Sequence, residues 1–268
     1  LYDGYGERWE LITAVQNVKI AQTYQIVYSG YFSEGKPDGE GCEYRYDAEY
    51  GFGKDTSDRI SPYLYYEGAF VDGEYCGYGT QYGITSKYEG TFFEGVYQGY
   101  GIRWFLDSDD DKVYKCEGNY SGGKMNGSGR KYYSNGDILF EGTYKNNDSV
   151  SGTAYFRDGG IRYTGDWDGN QYDGTGTLYW QSGGVRYSGG WSGGKRDGDG
   201  TAYWESGAIQ YDGEWSGGKY NGYGTSYRED GNPSYAGEWV QGTWDGYGIS
   251  YRANGKPLYK GSWSNGSY

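Results

Sequence analysis

Asp107, Asp109 and Asp111 stand at alternate positions of the segment LDSDDDKVY and offer hard oxygen ligands of the kind that hold Ca²⁺. The glycine and the late bidentate glutamate of an EF-hand loop are missing, so the segment reads first as a solvated acidic loop, and these aspartates are the metal candidate. Paired carboxylates elsewhere invite glycoside hydrolysis, which needs two such groups at a fixed separation. No pair stands apart, because Asp and Glu recur in turns along the whole chain. The chain has no histidine, which removes the commonest metal ligand and general base. Its cysteines, Cys42, Cys76 and Cys116, suit neither a disulfide ladder nor a zinc site. The many Gly-x-Gly strings precede no helix, as a phosphate-binding loop would require. No catalytic residue or cofactor is assigned, and the chain is read as a non-enzyme.

Any functional group here has to be positioned by a repeat. Aligned on an aromatic residue, units begin at Tyr163, Tyr187, Tyr211, Tyr235 and Tyr259, each 24 residues after the last. Earlier units begin at Tyr28, Tyr66, Tyr88, Cys116 and Phe140 with uneven spacing. Counting the first residue as 0, the pattern is aromatic at 0, Gly at +2, aromatic at +4, Gly at +7, +11 and +13, and Tyr at +16. In one unit these are Tyr187, Gly189, Trp191, Gly194, Gly198, Gly200 and Tyr203. Asp-Gly or Asn-Gly at +10/+11, as in Asp197-Gly198, and dipeptides such as Ser206-Gly207 at +19/+20 predict two hairpin turns per unit. The strands are then expected over +13 to +18 and from +21 to +4 of the next unit.

The composition suits such a sheet and little else. Leu, Ile and Val are sparse and the net charge is −13, a combination that normally marks disorder. Yet there are 37 tyrosines and ten tryptophans, and each ring can bury about 150–250 Å². Positions 0, +2 and +4 share a strand face, which puts a glycine between two rings and predicts that the rings lie over its backbone. The expected core of the unit at 187 is Tyr187, Trp191 and Tyr203. Residues 1–27 read as a partial repeat followed by a β-rich insertion, with extra strands or a short helix over 10–27. Residues 28–268 read as one repeat array with an insertion at 45–65, and both ends are expected to continue into further sequence.

Two sets of repeat positions could bind. Trp180 and Trp204, at +17, should face away from Tyr179 and Tyr203 and be the more exposed rings, suited to an extended peptide or a sugar chain, unless they merely cover their own hairpins. The recurrent tryptophans Trp167, Trp191, Trp215 and Trp239 are added as binding candidates. Lys36, Lys124, Lys195 and Lys219 recur at +8 and could line an anion-binding edge, but the acidic balance favours solvated turns. Tyr259, Trp263 and Tyr268 lie on a strand that could pair with a second copy.

The segments YDGEWSGGKYNGYGTSY (211–227), YAGEWVQGTWDGYGISY (235–251), YEGTFFEGVYQGYGIRW (88–104) and YSGYFSEGKPDGEGCEY (28–44) resemble the MORN (membrane occupation and recognition nexus) repeat. The resemblance implies an all-β, elongated, single-layer twisted antiparallel sheet of tandem β-hairpins, solenoid-like and grooved, without catalytic activity. It also implies a scaffold that binds partner proteins, dimerises or sits beside membranes. The chain departs from the family in its unit, one residue longer than usual, and in Asn147 at a glycine position. The function expected is protein–protein interaction or self-association through an aromatic face. A carbohydrate-binding or cell-surface module is the alternative. A phospholipid-associated module, the role first proposed for this repeat, is a second, weakened by the charge. No nucleic-acid partner is expected, and a cytoplasmic or membrane-peripheral site is favoured over the cell surface.

Overall fold

To bury a tyrosine on a sheet with no second layer, the ring needs bare backbone to lie on, and a pair of facing glycines supplies it. Gly189 and Gly200 are directly opposite each other on neighbouring strands; a Cβ on Gly189 would run into Gly200 and the Tyr187 hydroxyl, and one on Gly200 into the Tyr187 ring and hydroxyl. Tyr187 lies across this pair fully buried, and its Oη donates to the Gly190 carbonyl at 3.0 Å. Tyr28, Tyr66, Tyr88, Tyr163, Tyr211 and Tyr235 repeat the arrangement, each donating to the carbonyl three residues on.

The computed structural model describes residues 2–16, 19–46, 63–83, 85–105 and 114–268. Residues 47–62 of the insertion, and Asp107, Asp109 and Asp111 with them, lie outside the described residues. The chain divides into two compact units, Leu1–Gly136 and Asp137–Tyr268. The first holds β1 (Gly4–Gln16), β2 (Lys19–Ser33), β3 (Lys36–Arg45), β4 (Tyr63–Val71), β5 (Glu74–Tyr82), β6 (Ser86–Phe93), β7 (Val96–Phe105), β8 (Lys115–Ser121) and β9 (Lys124–Tyr132). The second holds β10 (Ile138–Lys145), β11 (Asp148–Tyr155), β12 (Ile161–Gly169), β13 (Gln171–Tyr179), β14 (Val185–Ser192), β15 (Lys195–Tyr203), β16 (Ile209–Ser216), β17 (Lys219–Tyr227), β18 (Pro233–Val240), β19 (Thr243–Tyr251) and β20 (Pro257–Trp263). Within each unit every strand pairs antiparallel with the next, and no helix occurs among the described residues. Residues 10–16 and 19–27 lie in β1 and β2 rather than in a helix.

Both turns exist, but one is not where Asp-Gly points. The chain reverses at +6/+7, as at Gly193-Gly194 with φ of 54° and 78°, the paired positive values of a type I′ turn. Elsewhere +6 is Glu34, Asp72, Glu94, Gln241 or Asn265, each also at positive φ, so the turn lacks a constant dipeptide. Asp197-Gly198 instead makes a bulge inside β15, where the register shifts between Gly189 and Trp191 and Gly198 takes φ 82°. The strands therefore run from about +8 to +16 and from −2 to +5. The bulge has a purpose that local sequence does not display. It aims the Asp197 carboxylate at the following turn, where it accepts the Gly217 N–H at 3.0 Å, and Asp173, Asn221 and Asp245 do the same for Gly193, Gln241 and Asn265. The second turn is at +19/+20 as expected, with Gly207 at φ 90°.

The packed face is more aromatic than the repeat pattern suggests. Position +9, which the sequence reading passed over, carries Tyr75, Tyr97, Tyr172, Tyr220 and Trp244, each stacked on its own position-0 tyrosine. Tyr163 and Tyr172, for example, lie 3.8 Å apart at 10°. In the unit at 187 the place is taken by Arg196, its guanidinium 4.9 Å from the Tyr187 ring centroid and 4.7 Å from that of Trp215. The aromatic at +4 meets these rings edge-on, as Trp191 meets Tyr187 at 85°. Tyr203 is not part of this core: it is half-buried on the other face, and Ala202 is the residue buried beneath the rings.

Because both steric room and ring burial converge on the glycine pair, Gly200→Ala is expected to cost about 2–3 kcal/mol, while the exposed Ser192→Ala stays within about 0.5 kcal/mol; urea midpoints of the two variants check this. Asp197→Ala should cost about 1 kcal/mol through the uncapped Gly217 N–H, with Asp197→Asn largely restoring it. Burial pushes the Tyr187 hydroxyl from 10.0 up to about 12, and Tyr28 and Tyr235 behave alike. The stability these groups contribute is complete below pH 10, where folded and unfolded phenols are both neutral, and is lost as pH rises towards 12. Tyrosinate absorbance and circular dichroism should therefore change together in that interval.

Candidate functional site

With the glycine-backed rings on one face, alternation sends +1, +3, +12, +14 and +16 to the other. In the first unit the strand registers join these positions into rows. One row runs Glu7, Ser29, Cys42, Glu67, Thr80, Glu89, Ile102, Glu117 and Arg130 from β1 to β9. On one side of it stand Tyr5, Tyr31, Tyr78 and Tyr100, all well exposed, with Tyr5 and Tyr78 at 63%. On the other side stand the half-buried Tyr44, Tyr82, Trp104 and Tyr132 at +16. Four glutamates, Glu7, Glu67, Glu89 and Glu117, thus lie between two lines of aromatic rings.

Hydrogen bonds tie the rows together. Tyr82 Oη donates to Glu67 at 2.6 Å and Tyr78 Oη to Glu89 at 2.7 Å. The bond from Tyr78, helped by Lys87, holds the Glu89 carboxyl below its ordinary range. Burial and the bond to Glu67 push the Tyr82 hydroxyl up to about 12. Around Glu117, burial would raise the carboxyl, but Tyr132, Lys115 and Arg130 outweigh it and bring the pKa down. Burial first, and then the charge of Glu67, push the Cys42 thiol up, so this cysteine is held as a thiol.

Over β1 to β5 the rows enclose an open groove of about 630 Å³. Gly30, Gly41, Gly68 and Gly79 leave bare backbone as its floor, Tyr5, Tyr31, Tyr44 and Tyr78 form its sides, and Glu40 and Glu67 point their charge into it. Tyr5 and Tyr31 meet edge-on with centroids 5.6 Å apart. Rings, carboxylates and bare backbone side by side are groups suited to binding.

The tryptophans proposed from sequence fall elsewhere. Trp191, Trp215 and Trp239 are buried and Trp167 is half-buried, and each indole N–H donates to the carbonyl of a glycine in the preceding repeat, as Trp215 does to Gly200 at 2.9 Å. Their rings fill the packed face rather than standing open to a partner. Trp180 and Trp204 sit within the +19/+20 turns, each exchanging two backbone hydrogen bonds with the turn residues. Both are half-buried, no more exposed in class than Tyr179 and Tyr203, and each Nε1 is buried without a hydrogen-bond partner among the described residues. Trp263 is buried, and Tyr268 stacks on Tyr259 at 4.3 Å just as a +9 ring stacks elsewhere. Lys36, Lys124, Lys195 and Lys219 are exposed at the starts of their strands.

The groove tyrosines were missed because Tyr5, Tyr78 and Tyr100 occupy +12, a position that varies from unit to unit and carries Glu40, Thr175 and Asp199 elsewhere. The available signal was an aromatic immediately before the +13 glycine, on the face opposite the rings that recur from unit to unit. Acetylation by N-acetylimidazole should modify Tyr5, Tyr31 and Tyr78 in the folded chain and spare Tyr28, Tyr66 and Tyr88; peptide mass mapping reads the difference.

A family model of the MORN repeat matches residues 28–47, 66–84, 88–109, 116–138, 163–185, 187–209, 211–232 and 235–256. The units beginning at Phe140 and Tyr259 are not among the matches. No curated protein matches the chain.

Proposed function

This chain belongs to the MORN repeat family, and from that premise we propose that it is a non-catalytic scaffold that holds an extended segment of a partner protein in the groove of its first unit. The repeat as a family is a binding module rather than a catalytic one. The observation that carries the reading is the groove itself: bare peptide backbone at its floor, exposed tyrosines at its sides, and a sheet whose far face holds the buried rings. Tyrosine supplies large contact area at low entropic cost because only two torsions must be fixed, which is why it dominates many recognition surfaces. Exposed rings on a sheet whose opposite face already holds the core serve no packing role.

The carbohydrate and lipid alternatives draw less support. Trp180 and Trp204 are engaged in turns, and the groove is acidic rather than basic. An immobilised array of unrelated extended peptides, a glycan array and anionic liposomes separate the three. Peptides should be retained and lost on Tyr5→Ala plus Tyr31→Ala plus Tyr78→Ala, with Trp180→Ala plus Trp204→Ala without effect. Glycan retention abolished by the tryptophan pair, or flotation with the liposomes, would overturn the scaffold reading.

A further inference from the structure

Resting on the groove reading above, we infer that the partner segment is recognised through lysine side chains, whose ammonium groups enter the carboxylate–aromatic cradle at Glu67 and Glu40. The chain carries its own template for this contact. Lys87 lies 3.3 Å from Glu89 with its Nζ 5.0 Å from the Trp104 ring centroid and 5.7 Å from that of Tyr82. One repeat on, Lys115 lies 3.0 Å from Glu117 and 3.9 Å from the Tyr132 ring centroid. In both places a lysine at −1 is held between the +1 glutamate of its own strand and the +16 rings of the neighbours. Carboxylate and ring face act together on one ammonium, and the sheet fixes both.

At Glu67 the same cradle has no lysine. The +1 carboxylate is present, the +16 ring Tyr82 is hydrogen-bonded to it, and Tyr44 stands on the other side. The strand bulges before Tyr66, so the place across from the +16 ring that Lys87 and Lys115 fill elsewhere is taken here by the uncharged Leu64, opposite Tyr44, while Tyr65 at −1 accepts from Gln81 and carries the Arg45 guanidinium over its ring, 3.2 Å from the centroid. Neither Glu67 nor Glu40 nor Glu7 forms a salt bridge among the described residues, whereas Glu89 and Glu117 both do. The excess of negative charge is therefore concentrated where the groove is open and is neutralised where it is not. An extended segment laid along the glycine floor between Tyr31 and Tyr78 brings alternate side chains down to these carboxylates, by the period of a strand.

The test uses the full chain and a Gly/Ser peptide with regularly spaced lysines, beside its acetyl-lysine and glutamate counterparts, by fluorescence anisotropy. The lysine peptide alone should bind, and Glu40→Gln plus Glu67→Gln should weaken it by about tenfold or more. Asp168→Asn plus Asp199→Asn, exposed carboxylates of the second unit that remove the same charge, should leave affinity unchanged. Lys87→Met, which frees the cradle at Glu89, should tighten binding by about threefold. Circular dichroism confirms that each variant is folded. Equal binding of the acetylated peptide, an equal loss in the second-unit variant, or no gain in Lys87→Met would overturn lysine capture. If neutral peptides bind and are lost with Tyr5, Tyr31 and Tyr78, the groove reading survives and lysine recognition falls; if no peptide binds at all, both fall.

Discussion

Everything in this protein follows from one contact, a tyrosine ring laid flat across two facing glycines. The contact hides a large side chain without a second layer of structure, because the sheet itself is the surface the ring is buried against. It needs glycine on both strands, which explains a composition that looks too polar and too glycine-rich to fold. Ring burial and the hydroxyl's bond to a nearby carbonyl together offset the entropy lost in ordering so many glycines. The +9 ring stacks within its own unit, and the +4 ring of the next unit meets both stacked rings edge-on and couples the two, so that the core is a ladder of rings rather than a cluster of aliphatic chains.

Confining the core to one face frees the other. In a parallel sheet covered by helices both faces answer to packing, but here the second face can vary without touching the rings. Tyr78 and Tyr100 occupy the same repeat position as Glu40 and Asp199, and all four leave the glycine pair beside them intact. Recurrent positions build the sheet, and variable ones give each stretch of it a chemical character. The first unit uses that freedom to set carboxylates between aromatic rows, and over β6 to β9 its own lysines already occupy them.

This division explains what the sequence made legible. The period, the all-antiparallel strands and the rings over glycine are local and repeated, so they could be read from residue spacing. The turn at Gly193-Gly194 was assigned to Asp197-Gly198 instead, because Asp-Gly serves a bulge as readily as a turn and what fixes the choice is the N–H of Gly217 in the next repeat. The +9 rings were visible as residue types, but their stacking depends on where that bulge resets the register. Trp191 and Trp215 recur at a fixed repeat position and fill the core, whereas the groove is lined from positions that break the pattern.

The turn edge gives the array a direction. Each +7 glycine N–H is accepted by the +9 carbonyl of the preceding repeat, as Gly218 by Arg196 and Gly242 by Tyr220, while the +10 side chain of that same repeat accepts the +6 N–H. In these backbone-donated bonds the acceptor comes from the earlier repeat and the donor from the later one. A repeat is thus a link with an unlike hook at each end, and any whole link fits any other along its length. The hooks match across units of 22 and 28 residues as well, Gly95 meeting Tyr75 and Gly123 meeting Tyr97, so a unit of this kind changes length away from this edge without unhooking its neighbour.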